Sequence, residues 1–225
     1  VAKILPRGGY LKAGVYTPNF GIRLDDHTAY TREGLIFNPF YREAGVEVGF
    51  FADDWLYASA SAGSNLSDFT SNYTKDPTYT ARVEFTPRFG EIGLMLGGSY
   101  ASVKLQGSAG TLNTDMYGGF FGFGYDEFSL LAEYDIANDL SSSDVKSNML
   151  MIEAAYGILT GLEAIVRYDR IDYNADVDAD ETSRFVFGFE FHPYSFIEVR
   201  PQYRLVMEDP SVDNDSFVLQ LHFWY

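Results

Sequence analysis

The sequence predicts an all-β fold: a single transmembrane antiparallel up-and-down β-barrel of about twelve strands, with ten or fourteen as alternatives. The first observation is the segment 216–225, in which every second residue is apolar: Phe217, Leu219, Leu221, Phe223 and Tyr225. A two-residue period is typical of a β-strand with one apolar face. The second is its length, which matches the roughly 9–11 residues that a tilted strand needs to cross a bilayer. The third is that such segments recur along the whole chain.

The alternating segments define the predicted strands, which are 9–17, 43–52, 55–63, 79–87, 91–102, 117–125, 127–136, 148–157, 160–170, 183–192, 195–206 and 216–225. Short gaps between them hold turn residues such as Asp53-Asp54 and Asp126. The long gaps, rich in Asn, Asp, Ser, Thr and Gly, are 18–42, 64–78, 103–116, 137–147, 171–182 and 207–215. Short periplasmic turns that alternate with long extracellular loops are typical of membrane barrels.

Composition supports a barrel that crosses the membrane with strands. The chain has 225 residues, of which 46% are hydrophobic and 17% aromatic, yet no apolar run reaches the roughly 18 residues of a spanning helix. Only a closed barrel then satisfies the backbone in lipid. A soluble barrel or sandwich is the rival interpretation, but the large apolar side chains of twelve strands would overfill its interior.

The closing strand, which ends on Trp224 and Tyr225, resembles the last strand of Gram-negative outer-membrane β-barrel proteins, and the whole pattern is similar to porin-like members of that class. The resemblance implies one barrel domain over residues 1–225, with 1–8 as a periplasmic N-terminal segment. It also implies residence in the outer membrane, with lipid and lipopolysaccharide as neighbours. The sequence does not indicate an oligomeric state or a protein partner.

The polar faces of the predicted strands define a lumen of mixed charge. Its predicted lining, a candidate for solute selectivity, is Lys12, Glu43, Glu47, Arg82, Glu84, Glu133, Asp135, Glu153, Glu163, Arg167, Asp169, Arg184, Glu190, Glu198, Arg200 and Arg204. Arginine outnumbers lysine here, and guanidinium groups suit crowded carboxylate pairs. The opposite face of one strand carries Phe185, Phe187, Phe189 and Phe191, which we expect to contact lipid.

The first long gap, 18–42, is much longer than a hairpin needs and is rich in apolar residues, among them Phe20, Tyr30, Leu35, Phe37 and Tyr41. Long loops in compact domains are usually functional or disordered, and this one is too apolar for disorder. We expect it to fold into the barrel mouth and constrict the lumen, to cap the rim, or to pack against a partner.

Three residues of this loop, Asp25, Asp26 and His27, resemble a motif of the omptins, outer-membrane barrel proteases that activate water with Asp pairs and an Asp–His pair. The sequence has no second Asp–His pair, because His192 follows Phe191 and His222 follows Leu221. Protease activity is therefore a remote alternative, and the chain is not predicted to be an enzyme.

Aspartate or asparagine recurs at every second position of one loop: Asp172, Asn174, Asp176, Asp178 and Asp180. This spacing faintly resembles a calcium loop, but the turn glycine and the terminal glutamate are missing. Divalent cations bound weakly at the acidic loops are the expectation. The chain has no cysteine, so it offers no thiolate metal site, and no cofactor is predicted.

These features predict a porin-like channel for the passive passage of small polar solutes. A net charge of −16 argues against nucleic acid as a partner. An excess of acidic over basic residues in the long loops and on the predicted lumen lining favours a preference for cations. The alternative is a plugged structural or partner-binding barrel, in which the loops or the lipid face carry the function.

Overall fold

The computed structural model describes residues 8–22, 24, 26, 28–37, 41–65, 76–107, 110–178, 180–208 and 210–224. Residues 1–7, Asp25, His27 and Tyr225, which carry part of the sequence interpretation, lie outside the described residues. So does most of the gap 64–78.

The described residues form thirteen strands and one short helix. The strands are β1 Gly9–Tyr16, β2 Glu43–Ala52, β3 Leu56–Asn65, β4 Pro77–Phe85, β5 Arg88–Phe89, β6 Ile92–Gly107, β7 Gly110–Tyr125, β8 Phe128–Asn138, β9 Lys146–Leu159, β10 Leu162–Asp172, β11 Thr182–Tyr194, β12 Ile197–Glu208 and β13 Ser216–Phe223. The helix α1, Tyr30–Glu33, lies between β1 and β2. In the described part of the chain no helix is long and apolar enough to span a membrane.

The strands form one antiparallel sheet in which each long strand pairs with the next long strand along the chain. The two-residue β5 pairs only with β6, and β1 and β13 stand at the two ends of the order. This is the predicted up-and-down topology, with the predicted number of long strands. Turns such as the one at Asp126, whose φ of 51° lies in the left-handed region that aspartate tolerates, reverse the chain at one end.

The sheet curls around the segment that joins β1 to β2. Asn19 donates a hydrogen bond to Tyr57 of β3, and Asp26 accepts one from Gln220 of β13. Nine strand-to-strand steps separate β3 from β13, which is about 43 Å across a flat sheet. The seven Cα-to-Cα steps from Asn19 to Asp26 span at most about 25 Å. The sheet must therefore wrap around this segment.

The outer surface of the curled sheet is apolar, as the phenylalanine row of β11 shows. Phe187 and Phe189 are 45% and 48% exposed, whereas their inward neighbours Arg184 and Val186 are 5% and 0% exposed. The last strand repeats the arrangement, with Phe217, Leu219, Leu221 and Phe223 all exposed. The predicted face assignments of both strands are confirmed.

One predicted loop is wrong. The described residues of 103–116 are all strand, because β6 and β7 pair as far as Gly107 and Gly110. The alternation continues through this hairpin, but here the apolar residues Val103, Leu105, Leu112 and Met116 point inward and are buried. Their partners are side chains of the β1–β2 segment inside the barrel. Because the apolar residues of this segment lie on the inward face and not on the outward face, the sequence pattern wrongly predicts a loop here.

Candidate functional site

The segment between β1 and β2, residues 17–42, is called L1 from here on, and most of its described residues are buried inside the curled sheet. The two ends of L1, which we call its base, are joined by hydrogen bonds. Thr17 donates one of 3.2 Å to the Tyr41 carbonyl and accepts one of 2.6 Å from Arg42. Above this base, the side chains Phe20, Ile22, Leu35 and Phe37 are all at most 7% exposed. The predicted loop therefore lies inside the barrel.

The first part of L1 is fixed by its backbone. Gly21 N–H donates to Ser99 Oγ of β6 at 3.0 Å, and its carbonyl accepts from Arg82 Nε of β4 at 3.2 Å. The Ile22 N–H lies 3.1 Å from both carboxylate oxygens of Glu133 on β8. Three strands thus hold two consecutive residues of L1.

Glycine is required at position 21 for two reasons. Its φ of 59° is in the left-handed region, which costs a residue with a Cβ atom more than it costs glycine. A Cβ atom built there would also lie 1.7 Å from Glu133 Oε1. The sharp turn lets the backbone approach the carboxylate closely.

Asp26, in the middle of L1, is held by side chains of three strands, which we call the Asp26 socket. Its Oδ2 accepts hydrogen bonds from Arg167 of β10 at 2.8 Å and Gln202 of β12 at 3.2 Å. Its Oδ1 accepts one from Gln220 of β13 at 3.0 Å. The backbone N–H and hydroxyl of Thr28 add two bonds, at 3.0 and 2.7 Å. Five donors therefore engage one carboxylate.

Arg167 is the hub of this network. Its side chain is 1% exposed and forms ion pairs with Asp26 at 2.8 Å, Glu153 at 3.3 Å and Asp169 at 3.0 Å. Asp169 also pairs with Arg184 of β11 at 2.9 Å. Since a buried guanidinium needs compensation, the three carboxylates and the cation stabilise one another.

Two further arginines form hydrogen bonds with L1 next to the socket. Arg184 donates to the Thr28 carbonyl, and its guanidinium lies 4.0 Å from the centre of the Tyr30 ring. Arg204 of β12 donates to Thr28 Oγ1 at 2.7 Å. A planar cation that also stacks on an aromatic ring suits such a contact better than lysine would.

An apolar cluster completes the docking of L1. The rings of Phe20 and Phe37 have centroids 5.1 Å apart, and those of Phe37 and Tyr41 are 5.3 Å apart. Around them pack inward side chains of β6 to β10, which are Ala101, Val103, Leu105, Leu112, Met116, Ala137, Met149 and Ile171. Apolar burial of this kind has no directional preference and stabilises the docked segment as a whole.

The socket holds Asp26 in its charged form. Burial by itself would raise the pKa of Asp26, but the Arg167 guanidinium and the hydrogen bonds from Gln220 and Thr28 outweigh burial and keep this pKa well below its usual range. A group with a depressed folded-state pKa contributes stability above its unfolded pKa and loses it as the pH falls toward the folded value.

This sign makes a prediction for Asp26→Asn. The variant should melt at a lower temperature than the wild type, and the difference should stay constant above pH about 4, the ordinary range of aspartate. Below that pH the difference should shrink, because the unfolded wild type then takes up a proton at Asp26 that the folded wild type does not. Thermal unfolding of both proteins in detergent between pH 7 and pH 3 measures it. A difference that vanishes between pH 7 and pH 5 would contradict the assigned socket.

The predicted lumen residues fall into three groups. Nine are buried: Glu43, Glu47, Glu133, Asp135, Arg167, Asp169, Arg184, Glu198 and Arg200. Six are partly buried, namely Lys12, Arg82, Glu84, Glu153, Glu190 and Arg204, and Glu163 is exposed. Their part in solute selectivity stays a prediction.

Most of the predicted basic residues form ion pairs with predicted acids. Lys12 lies 2.9 Å from Glu47, and Arg82 lies 2.5 Å from Glu84. On the acidic side, Glu43, Glu133 and Asp135 have no ion pair among the described residues. Asp135 is fully buried, and neither of its carboxylate oxygens accepts a hydrogen bond from the described part of the chain.

Sequence reasoning missed the residues that join L1 to the wall. The sequence indicates Asp26 only as part of a protease motif. In the structure the Asp26 carboxylate is instead bound in the socket. Asp25 and His27 lie outside the described residues. Gln202 and Gln220 stand on predicted polar faces, but nothing in the sequence links them to a residue in L1. The available signal was the pair of acidic residues, Asp25 and Asp26, within a loop rich in apolar residues.

The curled sheet, its apolar outer surface and its charged interior define the fold of Gram-negative outer-membrane β-barrels. Solved structures with this fold include OccK5 (OpdH) of Pseudomonas aeruginosa, which is 13% identical, with a TM-score of 0.55 over 96% of this chain and 77% of that one. OccK2 (OpdF) of the same organism, in complex with glucuronate, is 14% identical, with a TM-score of 0.51 over 97% and 79%. OccAB4 of Acinetobacter baumannii is 13% identical, with a TM-score of 0.51 over 96% and 71%.

These three structures are outer-membrane porins, and at such identities the likeness shows a common fold. No family model and no curated protein matches the sequence.

Proposed function

We propose that this chain is an outer-membrane channel for the passive passage of small polar solutes, with L1 as the constriction of its lumen. The observation that carries the proposal is the docking of L1 by charged and polar side chains that face the interior from several strands. A barrel with a purely structural role in the membrane does not require charged and polar side chains on its interior face. The porin fold of the structural neighbours supports the same conclusion.

A cation preference is expected from an excess of acids, because the predicted lumen lining has ten acidic residues and six basic ones. Of these bases, Lys12, Arg82 and Arg167 form ion pairs with acids. In the described part of the chain Arg204, Glu43 and Glu133 form no ion pair. The long loops predicted from the sequence add more acidic than basic residues. Low-dielectric walls focus such a field and raise the local concentration of cations.

Planar-bilayer recording tests both parts of the proposal. The purified protein should give small, discrete conductance steps, and the reversal potential across a KCl gradient should show a preference for potassium. The preference should weaken but persist at high salt, because loop charges in water are screened over about 8 Å at physiological salt and interior charges are screened less. A preference for chloride at low salt would contradict it and would mean that the arginines of β10 to β12 control the narrowest point.

The second candidate is a sealed barrel with a structural or partner-binding role. The apolar cluster favours it, because Phe37, Met116 and Met149 are at most 1% exposed and leave little room around L1 at the loop end of the barrel. A sealed barrel would show no conductance steps even though it inserts and folds. The same recordings therefore separate the two candidates.

A further inference from the structure

A second group of ionisable side chains lies at the other end of the barrel, at the short turns. Glu190, His192 and Glu198 of this group form no ion pair with the described residues of L1. The group is built across three neighbouring strands. Glu198 of β12 pairs in register with His222 of β13. On its other side, the register of β11 and β12 shifts just after the Phe191–Val199 pair. His192 of β11 lies in this irregular stretch, with a ring nitrogen within 4.8 Å of a carboxylate oxygen of Glu198. Glu190 stands two residues before His192 and points the same way.

The potential ligand atoms of this group lie close enough together to bind one metal ion after small side-chain rotations. His192 Nε2 lies 3.6 Å from Glu190 Oε1, too far for a good hydrogen bond. One potential ligand atom from each of Glu190, His192 and Glu198 lies within 4.8 Å of the other two. Bonds of about 2.0–2.1 Å in a tetrahedral site place two ligands about 3.3 Å apart. Small rotations of these side chains would close that difference.

We propose that Glu190, His192 and Glu198 bind a divalent transition-metal ion of the Zn²⁺ class. Histidine nitrogen and glutamate oxygen are both zinc ligands, and three protein ligands with water in the fourth position is the arrangement of catalytic zinc sites. Calcium and magnesium prefer six or more oxygen ligands, so a nitrogen ligand and so few oxygens disfavour them. The His192 side chain is 36% exposed, which gives the ion a path from solvent.

Neighbouring residues already orient the carboxylates. Arg200 contacts Glu190 Oε2 at 2.5 Å and Glu198 Oε1 at 2.7 Å, so one oxygen of each carboxylate is held by the guanidinium. The other oxygens, Glu190 Oε1 and Glu198 Oε2, face the two histidines. His222 Nδ1 shares a hydrogen bond of 2.7 Å with Glu198 Oε2. Partners of this kind fix the ligands of metal sites.

The charge of the group favours a cation. Two carboxylates and one guanidinium leave one net negative charge beside the neutral imidazole that a metal requires. Glu198 is 1% exposed, so its attraction to a divalent ion is screened less than that of a carboxylate in water.

Trp224 provides a direct readout. Its ring stacks on His192, with centroids 6.1 Å apart and an interplanar angle of 17°. The chain has two tryptophans, so Trp55→Phe leaves Trp224 as the only one. In this background, folded in detergent, Ni²⁺ should quench the fluorescence of Trp224 saturably at one ion per chain. Zn²⁺ should compete with the quenching, and millimolar Mg²⁺ should not.

Two ligand variants and one control decide the question. His192→Gln and Glu198→Gln should each weaken the apparent affinity for Ni²⁺ by about tenfold or more. His27→Gln removes the one histidine outside the group and should leave the affinity unchanged. Unsaturable quenching, or equal affinity in His192→Gln and His27→Gln, would overturn the proposal. Circular dichroism shows that each variant is folded, and the result does not depend on conduction.

Discussion

Replacing Arg167 with methionine should lower the free energy of unfolding by about 3–5 kcal/mol, the cost of leaving buried charges without their partner. The guanidinium is 1% exposed and contacts three carboxylates, on L1, β9 and β10. Methionine fills much of the same volume, so the loss is mainly electrostatic. Urea titration of the protein in detergent, followed by circular dichroism, measures the change.

Arg170→Met is the matched control, three residues along the same strand. The Arg170 side chain is 37% exposed, and its carboxylate contacts are long, at 3.6 Å to Asp172 and 3.9 Å to Glu181. Exposed pairs contribute about 0–1 kcal/mol. Equal losses in Arg167→Met and Arg170→Met would contradict the role of Arg167 as the buried hub.

The second large effect concerns the outer surface. Phe187→Arg should destabilise the barrel by about 2–4 kcal/mol, because a cation on the lipid face near the bilayer midplane loses its hydration. Phe187 lies in the middle of β11 and is 45% exposed on the outside of the sheet. Refolding into lipid vesicles, titrated with urea, gives the free energy.

Phe196→Arg makes the same chemical change at a different depth. Phe196 lies in the turn between β11 and β12 and is 52% exposed. Near the interface the same substitution costs about 0–1 kcal/mol. Val186, on the inward face, is a poor control despite its position, because it is fully buried beside Arg167. If the two arginine variants lose the same stability, β11 does not cross the bilayer as assigned.

The architecture could be predicted from the sequence because it depends on local patterns. Alternation in β11 and β13 gave both the strands and their outward faces, and turn residues such as Asp126 marked the reversals. The one large error, at 103–116, arose where the barrel wall packs on L1 and the apolar face turns inward. Face polarity there depends on a partner distant in the chain.

The candidate site was less predictable because its contacts join residues far apart in sequence. Asp26 and Gln220 are 194 positions apart, and Gly21 and Glu133 meet only after the sheet has curled. Arg167 could be placed on the polar face, but its ion pair with Asp26 depends on the depth to which L1 enters the barrel. Periodicity alone does not encode that depth.

If L1 constricts a channel, shortening L1 should widen it, and single-channel conductance of such a variant is the most direct measurement. Residues 22–37 would be replaced by a short Gly-Ser linker, which keeps the closed base at Thr17 and Tyr41. In the control the same linker replaces 211–214, an exposed part of the β12–β13 loop. The conductance of the L1 variant should be several-fold higher than that of the wild type, and the conductance of the control should not change. A folded L1 variant that stays as closed as the wild type would contradict the constriction by L1 and support the sealed barrel.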